Sequence, residues 1–427
     1  MLTGLQLYYA LVSGCLFLYA LRTTRHALQA FPVALALNVF PLALLPYLSM
    51  DVARLGGLPL VYLPVTAIGL ALVARNGMRL PRRHAALYLV ACIYLIYTFS
   101  NTVILHGLST SNLVYWVAWP MNIAIFVATA AAASRLEPGV LEKVLHRCVL
   151  VLAAAALVGL ARLAAGIGTD ANFMPVMNRN GTVVLATLLF PLVFYVHETQ
   201  GKPRRWLLLC AGVIALCVVL TFSRSGLIGL AAGVLLYYGR LSLKALAKAA
   251  FGVCVLVLLL STGIAQRSVE RLSNTGNTVS ALFEGRELDN TVGDRNRLNL
   301  VNSAMDAAKA HFWLGTGLGM ANYREGLRRV GHSDITSKAH NFYLSYFTEL
   351  GIVGFALLLA LFQRIYAGLP PLSSRQRAFR VSFLVMAVMM TMNEYILLPE
   401  LWLFFGMLAG TSGHLPRLET VPGSRHV

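Results

Sequence analysis

A long series of apolar segments, broken by one polar stretch from Gln266 to His340, constrains this chain more than any other feature. A bilayer core of about 30 Å takes about 20 apolar residues per helix. Segments of that kind fall near 3–21, 29–49, 57–74, 85–105, 111–134, 145–166, 180–196, 205–221, 224–239, 247–265, 342–362, 378–396 and 398–411. Within hydrocarbon every backbone N–H and C=O needs a partner inside the segment, so the segments are expected to be helices. The expected fold is an all-α polytopic membrane protein, a bundle of about 12 to 13 transmembrane helices with one long loop outside the membrane containing short helices. The count turns on Phe379 to Gly410, where Asn393-Glu394 and Pro399-Glu400 interrupt the apolar run.

Composition agrees. The chain has 427 residues, of which 58% are hydrophobic and 12% charged, with a mean hydropathy of +0.69. Soluble domains carry about 25% charged residues. The net charge of +18 would point to nucleic acid in a soluble protein. Here the cations sit in short loops facing anionic lipid, and no RNA-binding signature accompanies them, so membrane lipids are the expected partner and nucleic acid is not. All six cysteines (Cys15, Cys92, Cys148, Cys210, Cys217, Cys254) lie in apolar segments, which argues for small core residues without disulfides. The first apolar segment lacks a basic leader and a small-residue cleavage site, so it reads as a retained span.

Basic residues mark alternate loops. Arg75, Arg79, Arg82 and Arg83 follow the third segment, and Lys143 and Arg147 lie at the start of the sixth. Lys202, Arg204 and Arg205 follow the seventh, Arg240, Lys244 and Lys248 the ninth, and Arg364, Arg375, Arg377 and Arg380 the eleventh. Positive loops stay in the cytoplasm, which puts Gln266–His340 on the outer side. The expected organisation is residues 1–265 as about ten spans, 266–340 as the periplasmic loop carrying catalytic residues, 341–412 as the C-terminal spans and 413–427 as a cytoplasmic tail. Inside the loop, Leu298, Val301, Met305 and Ala308 recur at helical spacing, a stripe suited to the bilayer surface or to the bundle.

Three outer-side features carry residues with chemistry. Asn178-Arg179-Asn180-Gly181 opens the seventh segment, and Thr221-Phe222-Ser223-Arg224-Ser225-Gly226 forms the tight junction between the eighth and ninth. The loop contributes Gly293-Asp294-Arg295-Asn296-Arg297 and ends in Ala339-His340-Asn341-Phe342. An arginine at membrane depth costs about 2.5–3.5 kcal/mol, so Arg224 needs a reason to be there. A pair of guanidiniums suits a diphosphate, since each offers paired donors to phosphate oxygens. His340, the last polar residue before a span, is placed to accept a proton. No D-x-D on an outer loop, no His/Cys/carboxylate cluster at metal spacing, no phosphate-binding glycine loop and no G-x-S-x-G occurs, so no metal or cofactor is expected. Gly315-Thr316-Gly317-Leu318-Gly319 reads as a turn between two loop helices. Glu349, Glu394 and Glu400 read as single carboxylates lacking a partner at helical spacing.

The order of these motifs carries a resemblance. Thr221-x-Ser223-Arg224-x-Gly226 before a span, Gly293-Asp294-Arg295 in a long outer loop, Ala339-His340-Asn341-x-Tyr343-Leu344 and then Thr348-Glu349-Leu350-Gly351-Ile352-Val353-Gly354 resemble the O-antigen ligase and O-antigen polymerase superfamily, the ligases most. Leu298 to Leu300 depart from it, since relatives often carry a tryptophan there. The resemblance implies transfer of a glycan from undecaprenyl diphosphate to lipid A–core oligosaccharide, without a metal, at the periplasmic face of the bacterial inner membrane. It implies that His340 matches an essential histidine and that Arg224 and Arg295 match essential arginines, with Arg179, Asn180 and Asn341 as further substrate contacts. An O-antigen polymerase, a protein O-oligosaccharyltransferase and a transporter of polyprenol-linked glycan are the alternatives. The alternating basic loops give a direct test. A cysteine replacing Ser273 should react with a membrane-impermeant thiol reagent added from the periplasmic side, and one replacing Ser373 should not; the reverse pattern would overturn the orientation.

Overall fold

The computed structural model describes residues 4–43, 54–55, 58–59, 62–77, 85–105, 107, 110–165, 179–199, 205–221, 223–238, 292–335, 337–372, 374, 376–392 and 394–411. The segment 247–265, the loop before Val292 and the tail 413–427 lie outside these residues. Among the described residues nine helices precede the loop: α1 (Gly4–Arg22), α2 (Thr24–Ala43), α3 (Leu63–Asn76), α4 (Ala85–Ser100, prolonged by a π-helical turn, Asn101–Leu105), α5 (Thr110–Ala133), α6 (Pro138–Ala164), α7 (Arg179–Thr199), α8 (Arg205–Leu220) and α9 (Arg224–Tyr238). The loop supplies α10 (Val292–Ala310) and α11 (Met320–Arg329). α12 (Phe342–Ala367), α13 (Arg377–Met389) and α14 (Pro399–Thr411) complete the bundle. The only strands among the described residues are a two-residue antiparallel pair, Arg54–Leu55 with Leu58–Pro59. Among the described residues five helices, within Ala85–Ile104, Asn112–Ala133, Gly139–Ala164, Gly181–Glu198 and Phe342–Ala367, are long and apolar enough to cross a membrane. α3, α8 and α9 are shorter apolar helices.

The bundle is built around α14. Every one of its residues is buried, as expected for a helix that is apolar all round. It packs along α5 by bringing backbones together. A Cβ at Gly406 would lie 2.6 Å from the Phe126 carbonyl oxygen, and one at Gly410 would lie 2.5 Å from that of Ala130. Small residues four apart allow this approach, which gives close dispersion contact where lipid supplies no hydrophobic drive. α7 is nearly as enclosed and packs on α9 and α13. At the basic end of the bundle, Arg377 meets Glu198 at 3.3 Å and stacks on the Tyr237 ring at 4.5 Å.

α10 forms where the apolar repeat predicts a helix, and the stripe divides between the bundle and the surface. Ala304, Ala307 and Ala308 are buried and Val301 packs beside them, whereas Leu298 and Met305 are exposed. α11 and α12 cover that side. Ala304, Ala307, Tyr323, Leu327 and Ala339 form a second small core under the loop.

The loop is fastened to the bundle by a break in α12. At 26 residues this helix spans about 39 Å, more than a bilayer core requires. Gly351 interrupts it with φ 61° and ψ −174°. The Ile352 N–H, which would ordinarily donate to the Thr348 carbonyl, donates to Phe312 at 2.8 Å. The Thr348 and Glu349 carbonyls accept from Thr316 and Gly317, each at 2.9 Å, and the Leu350 carbonyl accepts the Tyr97 hydroxyl at 2.7 Å. The glycine-rich turn after α10 thus replaces the missing intrahelical bonds. Gly351 has two reasons to be glycine: its φ, and a Cβ position 2.4 Å from the carbonyl carbon and oxygen of Trp313. Gly351→Ala should cost about 2 kcal/mol or more, seen as a lower thermal unfolding midpoint in detergent. Gly14→Ala, whose Cβ meets nothing within 4 Å, should leave the midpoint unchanged.

Candidate functional site

The segment that enters α12 is held at every residue. Asn341 caps the helix, its side-chain oxygen accepting the Leu344 N–H at 3.1 Å. The Phe342 N–H donates to the Met390 carbonyl at 2.9 Å, which fixes the helix start against the end of α13. His340 is exposed and has φ 53°, the only positive φ at a non-glycine residue among those described. Such a conformation costs about 1–3 kcal/mol and persists only where the surroundings impose it.

Lys338, two residues earlier, points the other way and is buried. Its ammonium lies 2.6 Å from Glu349 Oε1, with the rings of Tyr115, Tyr346 and Tyr323 at 5.1, 5.3 and 5.9 Å. Burial works against the charged amine, but Glu349 and Glu394 more than offset it and hold the Lys338 pKa above the ordinary lysine value. Glu349, fully buried, also accepts the Gly319 N–H at 3.3 Å. Glu394 arrives from the connection between α13 and α14. It accepts a short hydrogen bond from the Ser345 hydroxyl and another from the His340 backbone N–H. Burial raises its pKa, against the opposing pull of Lys338 and these two donors. Two carboxylates read from the sequence as single therefore meet around one ammonium. They were missed because 44 positions separate Glu349 and Glu394 in the chain, and no spacing rule links a helix to a connection beyond the next helix.

Arg224 opens α9 from a turn of buried hydroxyls. Thr221, Ser223 and Ser225 are all buried; Ser223 and Ser225 share a hydrogen bond of 2.9 Å, and the Ser223 carbonyl accepts the Leu227 N–H at 3.1 Å. Arg224 itself is half-buried. A Cβ at Gly226 would lie 2.3 Å from Val183, so α9 and α7 touch closely just below Arg224 and Arg179. A cation in the first turn of a helix opposes the macrodipole, an arrangement that an anionic ligand relieves.

The other candidates gather at the same end of the bundle. Arg179 and Asn180 begin α7. α10 runs alongside α12 in the same direction, since the Thr348 hydroxyl donates to Ala304 at 3.1 Å and the Ile352 N–H to Phe312 at 2.8 Å. Arg295, nine residues before Ala304, is therefore carried about 13 Å up α10, toward the level where His340 precedes α12. Gly229 of α9 packs on Met389 of α13, one residue from the carbonyl that binds Phe342, so Arg224 lies about 7 Å beyond that contact on the same side as His340. The side chains of Arg179, Asn180 and Arg295 lie outside the described residues. Among the described residues no group of three or more His, Cys, Asp or Glu is arranged to hold a metal ion.

A further polar hollow, lined by His311, Thr316, Asn322, Glu325, Gly326 and Arg329, lies on the face of α11 turned away from Lys338. Burial, helped by the Arg329 cation, lowers the His311 pKa.

Residues 206–359 match the family model described as O-antigen ligase. This match, over part of the chain, supports membership of the O-antigen ligase family. The matched region contains Arg224, Arg295, Lys338, His340, Asn341 and Glu349, and with them the loop helices and the break at Gly351. Arg179, Asn180 and Glu394 lie outside it. No curated protein matches the chain. Membership of an O-antigen ligase family implies a membrane enzyme of the glycosyltransferase or ligase type, acting on lipid-linked glycan.

The Lys338 cluster sets a stability prediction. Lys338→Met leaves Glu349 buried without its cation and should cost about 3–5 kcal/mol, read as a fall in the detergent unfolding midpoint. Lys338→Met with Glu349→Gln removes both charges and should recover much of that loss.

Proposed function

We propose that this chain is an O-antigen ligase. It transfers a glycan from undecaprenyl diphosphate to a sugar hydroxyl of lipid A–core oligosaccharide, at the periplasmic face of the bacterial inner membrane. The observation that carries the proposal is the gathering of one histidine and several arginines at a single end of an apolar bundle, in a region that matches the family.

In this reading the donor's prenyl chain lies along the bundle and its diphosphate meets Arg224 and Arg295. His340 accepts the proton of the acceptor hydroxyl, whose oxygen attacks the anomeric carbon from the face opposite the diphosphate. The new C–O bond forms as the bond to the diphosphate breaks, and undecaprenyl diphosphate leaves with the electron pair, inverting the anomeric centre. Negative charge grows on the leaving group, so the guanidiniums accelerate the step only if they bind that charge more tightly in the transition state than in the ground state. Proton acceptance at His340 contributes about 10²–10⁴-fold. Arg179 and Asn180 supplement the donor contacts. The Asn341 amide, whose oxygen is taken by the helix cap, has its nitrogen left for a sugar hydroxyl. The arginines supply the charge that a divalent ion supplies elsewhere, so the reaction proceeds with chelator present.

Purified protein, carrier-linked glycan and lipid A–core with EDTA test the proposal directly. His340→Ala should bind donor normally while single-turnover transfer falls by about 10²-fold or more. Arg224→Lys keeps the charge but loses the planar fork, and should remain impaired, as should Arg295→Ala. Normal transfer by His340→Ala with both substrates bound would remove His340 from the chemistry. Transfer that stopped in EDTA and returned with Mg²⁺ would remove the metal-free mechanism. Transfer only to a second carrier-linked glycan, and none to lipid A–core, would make the enzyme a polymerase.

A further inference from the structure

We propose that Glu394 is a positioning residue for His340: by accepting the His340 backbone N–H, it holds the left-handed conformation that aims the imidazole at the acceptor. The proposal rests on His340 being the proton acceptor. The left-handed backbone at His340 is what needs explaining. Histidine enters this region more readily than most residues, yet the conformation remains unfavourable without a constraint. The residues around it are anchored separately: Lys338 by Glu349 and three tyrosine rings, Asn341 by its cap, Phe342 by Met390. Between these anchors, Glu394 accepts the N–H of His340 itself.

The carboxylate has no place in the transfer chemistry. At a site that receives a diphosphate, a free negative charge would repel the donor. Lys338 screens it from below, and Ser345, in the first turn of α12, fixes its orientation. Glu394 thus links the connection after α13, the first turn of α12 and the residue before the cap. A shift of any of them would rotate His340. A displacement of about 1 Å at a reacting group can cost about 10²-fold in rate, so this grip has a kinetic signature.

The experiment compares Glu394→Ala with the unaltered protein and repeats the substitution in a His340→Ala background. A residue acting only through His340 should lower kcat by about tenfold or more, leave donor and acceptor KM within about twofold, and change the residual rate of His340→Ala by less than about twofold. Ser345→Ala, a smaller change that loosens Glu394 while keeping its charge in the cluster, serves if Glu394→Ala does not fold. It should lower kcat about threefold, again with no further effect once His340 is gone. Full kcat in the folded variant, a rise in KM at constant kcat, or an equal loss in both backgrounds would each overturn the positioning role. If His340→Ala itself transfers normally, the catalytic reading fails. If His340→Ala is impaired while Glu394→Ala and Ser345→Ala are not, only the positioning role fails.

Discussion

The arrangement of this protein depends on an exchange of backbone hydrogen bonds at Gly351. A helix interrupted among apolar neighbours leaves carbonyls that water cannot reach, and each unpaired group costs about 1–3 kcal/mol. The turn from Phe312 to Gly317 replaces them, donating from Thr316 and Gly317 and accepting from Ile352. Loop and bundle therefore complete each other. Glycines on both sides make the approach possible, since a Cβ at Gly315 would lie 2.4 Å from the Glu349 carbonyl oxygen. With the Thr348–Ala304 and Lys338–Glu349 contacts, this exchange sets α10 and α11 against α12.

The electrostatic design follows from that docking. The first segment of α12 carries Ser345, Thr348 and Glu349 on faces that the loop helices cover. Lys338 comes down from the loop to meet Glu349, and Glu394 comes across from the far side. The cluster fixes the inner side of the segment 338–341 and leaves His340 exposed on the outer side. Below it, rings connect the cluster to the middle of the bundle: Tyr346 packs on Trp119 at 5.7 Å, and Trp119 packs on Trp402 of α14 at the same distance. In the proposed reaction, a rigid column of this kind would keep His340 aimed while Arg224 and Arg295 are held on other helices.

The division between the two bundle ends has a simple charge logic. At one end, arginines pair with a carboxylate or stack on rings, as Arg377 and Arg380 do. At the other, Arg224 opens a helix whose dipole disfavours a cation.

Much of this was legible in the amino-acid order. Apolar segments of spanning length fixed an all-helical membrane protein, because hydrocarbon allows few other solutions for the backbone. The two loop helices and the tight Ser223-Arg224-Ser225 turn were readable from local patterns. What the sequence left open were relations between distant segments. It offered Leu298, Val301, Met305 and Ala308 as one stripe for the bilayer surface or the bundle, and only the packing of α11 and α12 decided which of them are covered. It showed Glu349 and Glu394 as isolated carboxylates, and only the fold brought them to Lys338. It marked Gly351 as part of a short motif without showing that the helix breaks there. Local propensity and hydrophobic period act over a few residues, whereas a helix break and a buried ion pair are paid for by partners far along the chain.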